Sequence, residues 1–357
     1  MIGFRVADAQ SGLMCRTACA HGDIFAFVTI AAEMFRFALL GGLVWALALP
    51  VPSGGQDTIF RVDVNLVRIL ATVRNTAGEL VGTLERDDFQ VFDNGVEQQI
   101  AVFERQTEQP LSIALVVDHS LSTAREMRYQ VESVSRFLQA VFSEGHPADS
   151  VALYGFSYEV TLLASFTRRR ERLEEALRQL KPSSGTSLYD AIYLVSKDLE
   201  ARQGRRVMVL VTDGGDTTSA KTFHDALEAA QLADVVIYAV LVVPIPGEVG
   251  RNLGGENALI TMSSGTAGRV FTPALGPELD RAFADILKEL RTQYFLGYYP
   301  KDVPPSRDRF HRIEVRLRRP DLRVSARSGY YMVSDKPPAQ TRPDRGPAVK
   351  KDFPRPK

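Results

Sequence analysis

The chain has 357 residues, 45% hydrophobic and 24% charged, which is long and apolar enough for two ordinary domains and excludes a disordered chain. Lys plus Arg balances Asp plus Glu at 43 each, so no nucleic-acid or anionic-membrane partner is held by net charge. The two cysteines, Cys15 and Cys19, lie at the N-terminus, which excludes a disulfide scaffold, a thiolate metal site or a cysteine nucleophile downstream.

Residues 37–49 (FALLGGLVWALAL) are an apolar run preceded by Met34 and Arg36 and followed by Pro50, Pro52 and Ser53. That order is the n-region, h-region and small-residue exit of a secretory signal, with Ala46-Leu47-Ala48 as a cleavage site. The run is short against the roughly 20 apolar residues of a membrane span. Residues 1–55 are therefore expected to be a signal region whose true start is Met34, with a retained signal anchor as the alternative. The mature protein is expected to be secreted, periplasmic or in the cell envelope, and to meet a membrane only if the segment is uncleaved.

Residues 56–108 alternate apolar and polar positions, from Val62, Val64 and Leu66 through Val67, Ile69, Ala71 and Val73 to a turn at 75–78. A second strand at 88–92 ends in Asp93-Asn94-Gly95, a strong hairpin turn. This small β module is too short to stand alone. Over 109–297 the pattern changes to strands alternating with amphipathic helices. Strands are expected at 112–117, 151–156, 160–166, 206–211, 235–243 and 269–272. Helices are expected at 126–142, 168–180, 188–199, 223–233, 257–263 and 277–292. The fold class is α/β: a doubly wound, mostly parallel sheet of six strands, with its ligand site at the carboxyl ends of the strands. Strand-like segments at 294–299, 312–317 and 322–326 follow. Residues 298–335 are expected to dock on the N-terminal module, so that one β-sandwich-like domain is built from both flanks. The Pro-, Lys- and Arg-rich segment 336–357 is expected to be disordered.

Three segments converge at the expected ligand site. Asp118-His119-Ser120-Leu121-Ser122 follows the first central strand, Gly185-Thr186-Ser187 precedes a helix, and Thr212-Asp213-Gly214 follows another strand. They offer only carboxylate and hydroxyl oxygens, a set suited to a hard cation such as Mg²⁺, with Ca²⁺ or Mn²⁺ as alternatives. The expected ligands are Asp118, Ser120, Ser122, Thr186 and Asp213. A lone D-x-S-x-S is weak, since Ser and Asp cap helices everywhere; the three segments together are specific. Asp190 is expected to serve as a capping or dipole residue, and Asp216 with Thr217 and Thr218 to shape the loop after Asp213. Tyr294, Tyr298, Tyr299, Tyr330 and Tyr331 are expected to pack strands.

This pattern resembles the metal-ion-dependent adhesion site of von Willebrand factor A domains. The resemblance implies that Ser120 and Ser122 bind the ion directly and Thr186 directly or through water. Asp118 and Asp213 would act mainly through water, and one position stays open to an acidic side chain of a protein partner. The chain from about 60 to 332 also resembles a bacterial group of secreted proteins related to that family. The shared stretches are Asp88-Phe89-x-Val91, Asp93-Asn94-Gly95, Leu188-Tyr189-Asp190-Ala191, Leu296-Gly297-Tyr298-Tyr299-Pro300 and Arg327-Ser328-Gly329-Tyr330-Tyr331. His119 and Leu121 depart from the family's smaller residues; they could narrow the site, and His119 could titrate near neutrality.

No P-loop, G-x-G-x-x-G or H-E-x-x-H is present, and Gly155-Phe156-Ser157-Tyr158-Glu159 lacks the last glycine of a nucleophile elbow. The expectation is therefore a binding module and not an enzyme. A structural component in which the metal only stabilises the fold is the alternative, and a metal-assisted hydrolase a third.

Overall fold

A computed structural model describes residues 66–105, 109–242, 252–274, 276–304, 306, 309–332 and 346–352. The expected signal region lies outside them. Among the described residues no helix is long and apolar enough to cross a membrane.

The chain opens with four strands, β1 (Val67–Asn75), β2 (Phe89–Asp93), β3 (Val96–Gln98) and β4 (Ile100–Glu104). It continues through β5 (Leu111–Asp118), α1 (Met127–Glu144), β6 (Ser150–Phe156), β7 (Val160–Thr167), α2 (Arg170–Arg178) and α3 (Leu188–Glu200). Next come β8 (Arg205–Thr212), α4 (Phe223–Leu232), β9 (Val235–Leu241), α5 (Leu253–Gly265), β10 (Val270–Phe271) and α6 (Pro277–Thr292). The last elements are β11 (Tyr294–Tyr298), β12 (Phe310–Leu317), β13 (Leu322–Ala326), β14 (Gly329–Tyr331) and β15 (Lys350–Lys351).

The central sheet has seven strands in the order β10-β9-β8-β5-β6-β7-β15, parallel except where β7 runs against β6. β5 is buried along its whole length, the pattern of a central strand covered on both faces. Its Ile113, Leu115 and Val117 pack under α1, α2 and α6, while Ala114 and Val116 pack under α3, α4 and α5. From β5 the chain moves outward one way through β6 and β7, then returns to add β8 and β9 on the other side. The switch point therefore lies above the carboxyl ends of β5 and β8.

The sheet thus has seven strands where six were expected, and the segment 336–357 is not wholly disordered. Lys350 pairs with Thr161 and Lys351 with Leu162, and Val349 packs on the core beside them. The open edge of β7 offers backbone groups that pair with any extended segment, so β15 needs no apolar periodicity. The helix expected at 257–263 starts earlier because Asn252 caps it, accepting from Gly255 N at 2.9 Å.

The remaining strands form two four-stranded sheets, β13-β1-β11-β4 and β14-β12-β2-β3, which share one core of Ile69, Val91, Leu296 and Ile313. Strands from before and after the central domain interleave: β1 lies between β13 and β11, and β12 pairs with β2. β11 begins at Tyr294, so this flanking domain takes up the chain ahead of residue 298. Gln293 joins the two regions; its buried amide donates to Thr72 Oγ1 and Tyr238 Oη, both at 3.2 Å. The Glu289 carboxylate bridges Arg74 and Arg269, each at 2.5 Å.

Candidate functional site

β5 and β8 end side by side, and their last residues build the floor of the site. Asp118 closes β5 and is fully buried. Its Oδ1 accepts from Ser120 N at 2.8 Å and its Oδ2 from the Thr212 hydroxyl at 2.7 Å. The chain then turns into a short 3₁₀ segment, Leu121–Thr123, whose Thr123 hydroxyl bonds the carbonyls of Asp118 and Ser120 at 3.1 Å each. This turn brings the hydroxyls of Ser120 and Ser122 to 2.9 Å from each other, the first buried and the second exposed.

The Thr186 loop is stitched to the same place. Ser120 bridges Ser183, and Ser183 N donates to His119 O at 2.9 Å. Gly185 adopts φ +79°, and a Cβ there would meet Tyr158 at 3.1 Å, so only glycine fits. Thr186 N donates to Thr217 Oγ1 at 3.0 Å, and Thr186 O accepts from Thr217 N at 2.8 Å and Thr218 N at 3.2 Å. The Thr186 loop and the loop after Asp213 are therefore tied together. Asp213 accepts from Gly215 N at 2.9 Å, and its charge reaches Asp118. The glycine pair Gly214 and Gly255 lets the start of α5 pack on this loop, since a Cβ on Gly255 would lie 1.7 Å from Gly214 O.

Burial pushes the Asp118 carboxyl up to about 6, with the Asp213 charge adding to the rise and the Ser120 and Thr212 hydrogen bonds opposing it. Among the described residues no cationic side chain pairs with Asp118 or Asp213. Nor do three or more His, Cys, Asp or Glu side chains gather anywhere among them. Two carboxylates, one of them buried without a counter-charge among the described residues, and hydroxyls from two loops form a donor set that fits a hard dication. Burial lowers the His119 pKa below its ordinary value, with the contact of Nδ1 with Lys181 O at 2.8 Å opposing the drop. Leu121 points outward and is 63% exposed, so it does not cover the site.

Asp190 does not cap its own helix. Its carboxylate accepts from Ala220 N at 3.0 Å and Lys221 N at 2.7 Å, tying the end of the Asp213 loop to α3. The first amides of α3 are met instead by Asp216 Oδ1 and Ser219 Oγ, at 3.2 and 3.0 Å from Tyr189 N. Asp190→Ala should therefore destabilise the chain by about 1–3 kcal/mol, read as a lower urea midpoint. An unchanged midpoint would mean that the loop holds itself. The expectations for individual residues passed over Thr212, whose hydroxyl holds Asp118, although it stands beside Asp213 in the sequence.

Residues 113–215 match the family model of the von Willebrand factor type A domain. The chain contains a von Willebrand factor type A domain. Comparison with curated proteins gave no match. Several solved structures are similar to the vWA domain. An aerotolerance-related membrane protein from Bacteroides fragilis is 17% identical over 50% of this chain and 98% of its own, with a TM-score of 0.40. The vWF domain of the type V pili tip protein Mfa5 from Porphyromonas gingivalis is 15% identical over 50% and 94%, with a TM-score of 0.41. Proximal thread matrix protein 1 from the mussel byssus is 18% identical over 56% and 49%, with a TM-score of 0.43.

Within the vWA domain, three apolar side chains stand in solvent: Leu121 at 63% exposure, Tyr158 at 65% and Leu253 at 63%. Leu121 follows Asp118 in the short 3₁₀ segment, Tyr158 lies beside Gly185, and Leu253 opens α5, whose Gly255 packs on Gly214; exposed apolar surface of this kind is solvated poorly.

Proposed function

We propose that this chain is an extracytoplasmic, divalent-metal-dependent protein-binding module of the adhesion type. Asp118, Ser120, Ser122, Thr186 and Asp213 would hold the cation, Mg²⁺ or alternatively Ca²⁺ or Mn²⁺. A bound dication supplies positive charge at an open coordination position, where an acidic side chain of the partner would bind. The single observation that carries this reading is the fully buried Asp118 carboxylate, which has no cationic side chain beside it and lies under hydroxyls from converging loops. The exposed Leu121, Tyr158 and Leu253 suit a protein partner better than a free metabolite, because exposed apolar side chains gain most from another folded surface. We assign the site no catalytic step: the sequence nominates no general base better than Asp213, which the cation would already occupy.

Ser122→Ala tests the reading without disturbing the core, since Ser122 is exposed. Calorimetry should show Mg²⁺ uptake by the parent chain and about tenfold weaker uptake by the variant, with the thermal midpoint of the metal-free protein unchanged. Capture of a partner from the native cell envelope should be lost with EDTA and in the variant alike. No uptake of Mg²⁺, Mn²⁺ or Ca²⁺ by the parent would end the proposal. A second reading, in which the metal only stabilises the fold, is favoured by the burial of Asp118; metal uptake that raises the midpoint while partner capture survives EDTA would select it.

A further inference from the structure

At the opposite end of the central sheet, a shallow cleft, half open to solvent, lies between the starts of β8 and β9 and the flanking domain. Its lining includes Arg68 from β1, Arg205 and Arg206 from β8, and Arg327 after β13, with Asp234 as the one acid. Four cations against one anion leave this lining strongly positive.

The excess is only partly offset, by the charges of Asp234 and Glu200 on Arg206 and of Asp149 on Arg205. Arg68 Nη2 donates to Gln109 Oε1 at 3.3 Å, and Arg206 to the carbonyls of Arg202 at 2.9 Å and Ala233 at 2.6 Å. Arg205 donates to Leu290 O at 2.6 Å and to the Gln293 side chain. All of these acceptors are neutral, and only Arg327 meets a carboxylate, that of Asp234. The Nε groups of Arg205 and Arg327 are buried with no acceptor. Buried donors without acceptors are uncommon in folded proteins, and charged ones the more so. Burial lowers the Arg206 pKa, with the Asp234 charge opposing the drop and the Arg68 charge adding to it.

Leu70, Val235, Ala267 and Phe295 line the wall beside the arginines, together with the polar Gln231 and Thr266. A ligand for such a cleft carries its charge at one end only. We propose that the cleft is a second binding site, separate from the oxygen cluster, for a small organic anion with a carboxylate head and a short apolar body. The head bonds the guanidinium forks, whose planar donors match a carboxylate, and the body covers the apolar wall. Arg206 belongs to the vWA domain and Arg68 and Arg327 to the flanking one, so the bound anion ties the two regions together.

Hexanoate, hexan-1-ol and sulfate serve as probes on the full chain, by titration calorimetry and thermal unfolding. Hexanoate should raise the midpoint and bind at least about tenfold more tightly than hexanol or sulfate, with EDTA having no effect. Arg68→Gln with Arg206→Gln should weaken hexanoate by at least about tenfold while leaving Mg²⁺ uptake as in the parent. If the double variant does not fold, Arg68→Gln alone decides, since Arg68 makes one side-chain hydrogen bond. Hexanoate binding that is absent, matched by hexanol, matched by sulfate, abolished by EDTA or unchanged in the variant overturns the proposal. Because the readout is hexanoate, failure here leaves the metal reading untouched, and failure of Mg²⁺ uptake leaves this one untouched.

Discussion

Asp93→Ala is expected to cost the chain about 3–5 kcal/mol, the largest loss of any single substitution considered. Asp93 ends β2 and is fully buried. Its Oδ2 accepts from the hydroxyls of Tyr298 at 2.8 Å and Tyr330 at 2.9 Å, and His311 Nδ1 lies 3.1 Å from its Oδ1. The partners sit on β11, β14 and β12, so one carboxylate joins both sheets of the flanking domain. Burial, and then the hydrogen bond and charge of Asp93, hold both tyrosine pKa values far above the ordinary range, so the hydroxyls remain donors. Alanine would leave two hydroxyls and an imidazole nitrogen buried without partners, and each carries a desolvation cost. Tyr298→Phe and Tyr330→Phe remove one donor apiece and should cost about 1 kcal/mol each. Denaturant unfolding of the four proteins measures the series. If Asp93→Ala falls no further than either phenylalanine variant, the carboxylate is not the hub.

The role of Asp93 shows why part of this molecule could not be read in advance. Asp-Asn-Gly explains itself locally: Asn94 at φ 46° and Gly95 at φ 85° form the tight turn between β2 and β3. Nothing in that tripeptide indicates partners more than two hundred residues away. The tyrosines were legible as strand packing, and Tyr294, Tyr298 and Tyr330 are buried as such, whereas Tyr299 is 50% exposed. Packing residues announce themselves by alternation, but a buried hydroxyl's acceptor is set by tertiary register alone. β15 was invisible for a related reason, because its attachment to β7 is made by backbone groups that every residue carries. The central strands were legible because their apolar runs are long and continuous, as in β5, and the helices because their apolar faces repeat. The meeting of the Asp118, Thr186 and Asp213 loops followed from topology: short polar segments at strand ends of a doubly wound sheet have one place to converge. The Arg cleft had no such signal, since Arg68, Arg206 and Arg327 stand far apart in the sequence and are brought together only by tertiary pairing.

The second large effect concerns pH. In metal-free protein the folded-state carboxyl of Asp118 titrates at about 6 against an ordinary value of 3.8. The folded chain therefore holds this proton more tightly than the unfolded chain does. The associated stability is fully present below pH 3.8 and is lost as pH rises through about 6. That gap corresponds to roughly 3 kcal/mol, with no further loss at higher pH. Other groups titrate in the same range, so the measurement is the difference between the parent and Asp118→Asn. The amide still accepts from Ser120 N, and the Thr212 hydroxyl turns round to accept from the amide. Without metal, the variant should gain on the parent between pH 4 and pH 7 by up to about 3 kcal/mol. Saturating Mg²⁺ should reverse the order, because the proposed site rewards the ionised carboxylate and the amide carries no charge to match the dication. A parent-minus-variant difference that is flat with pH would show that Asp118 is not strained by its burial. Strain that appears in metal-free protein but is not relieved by any divalent cation would leave the buried charge real and its proposed partner wrong.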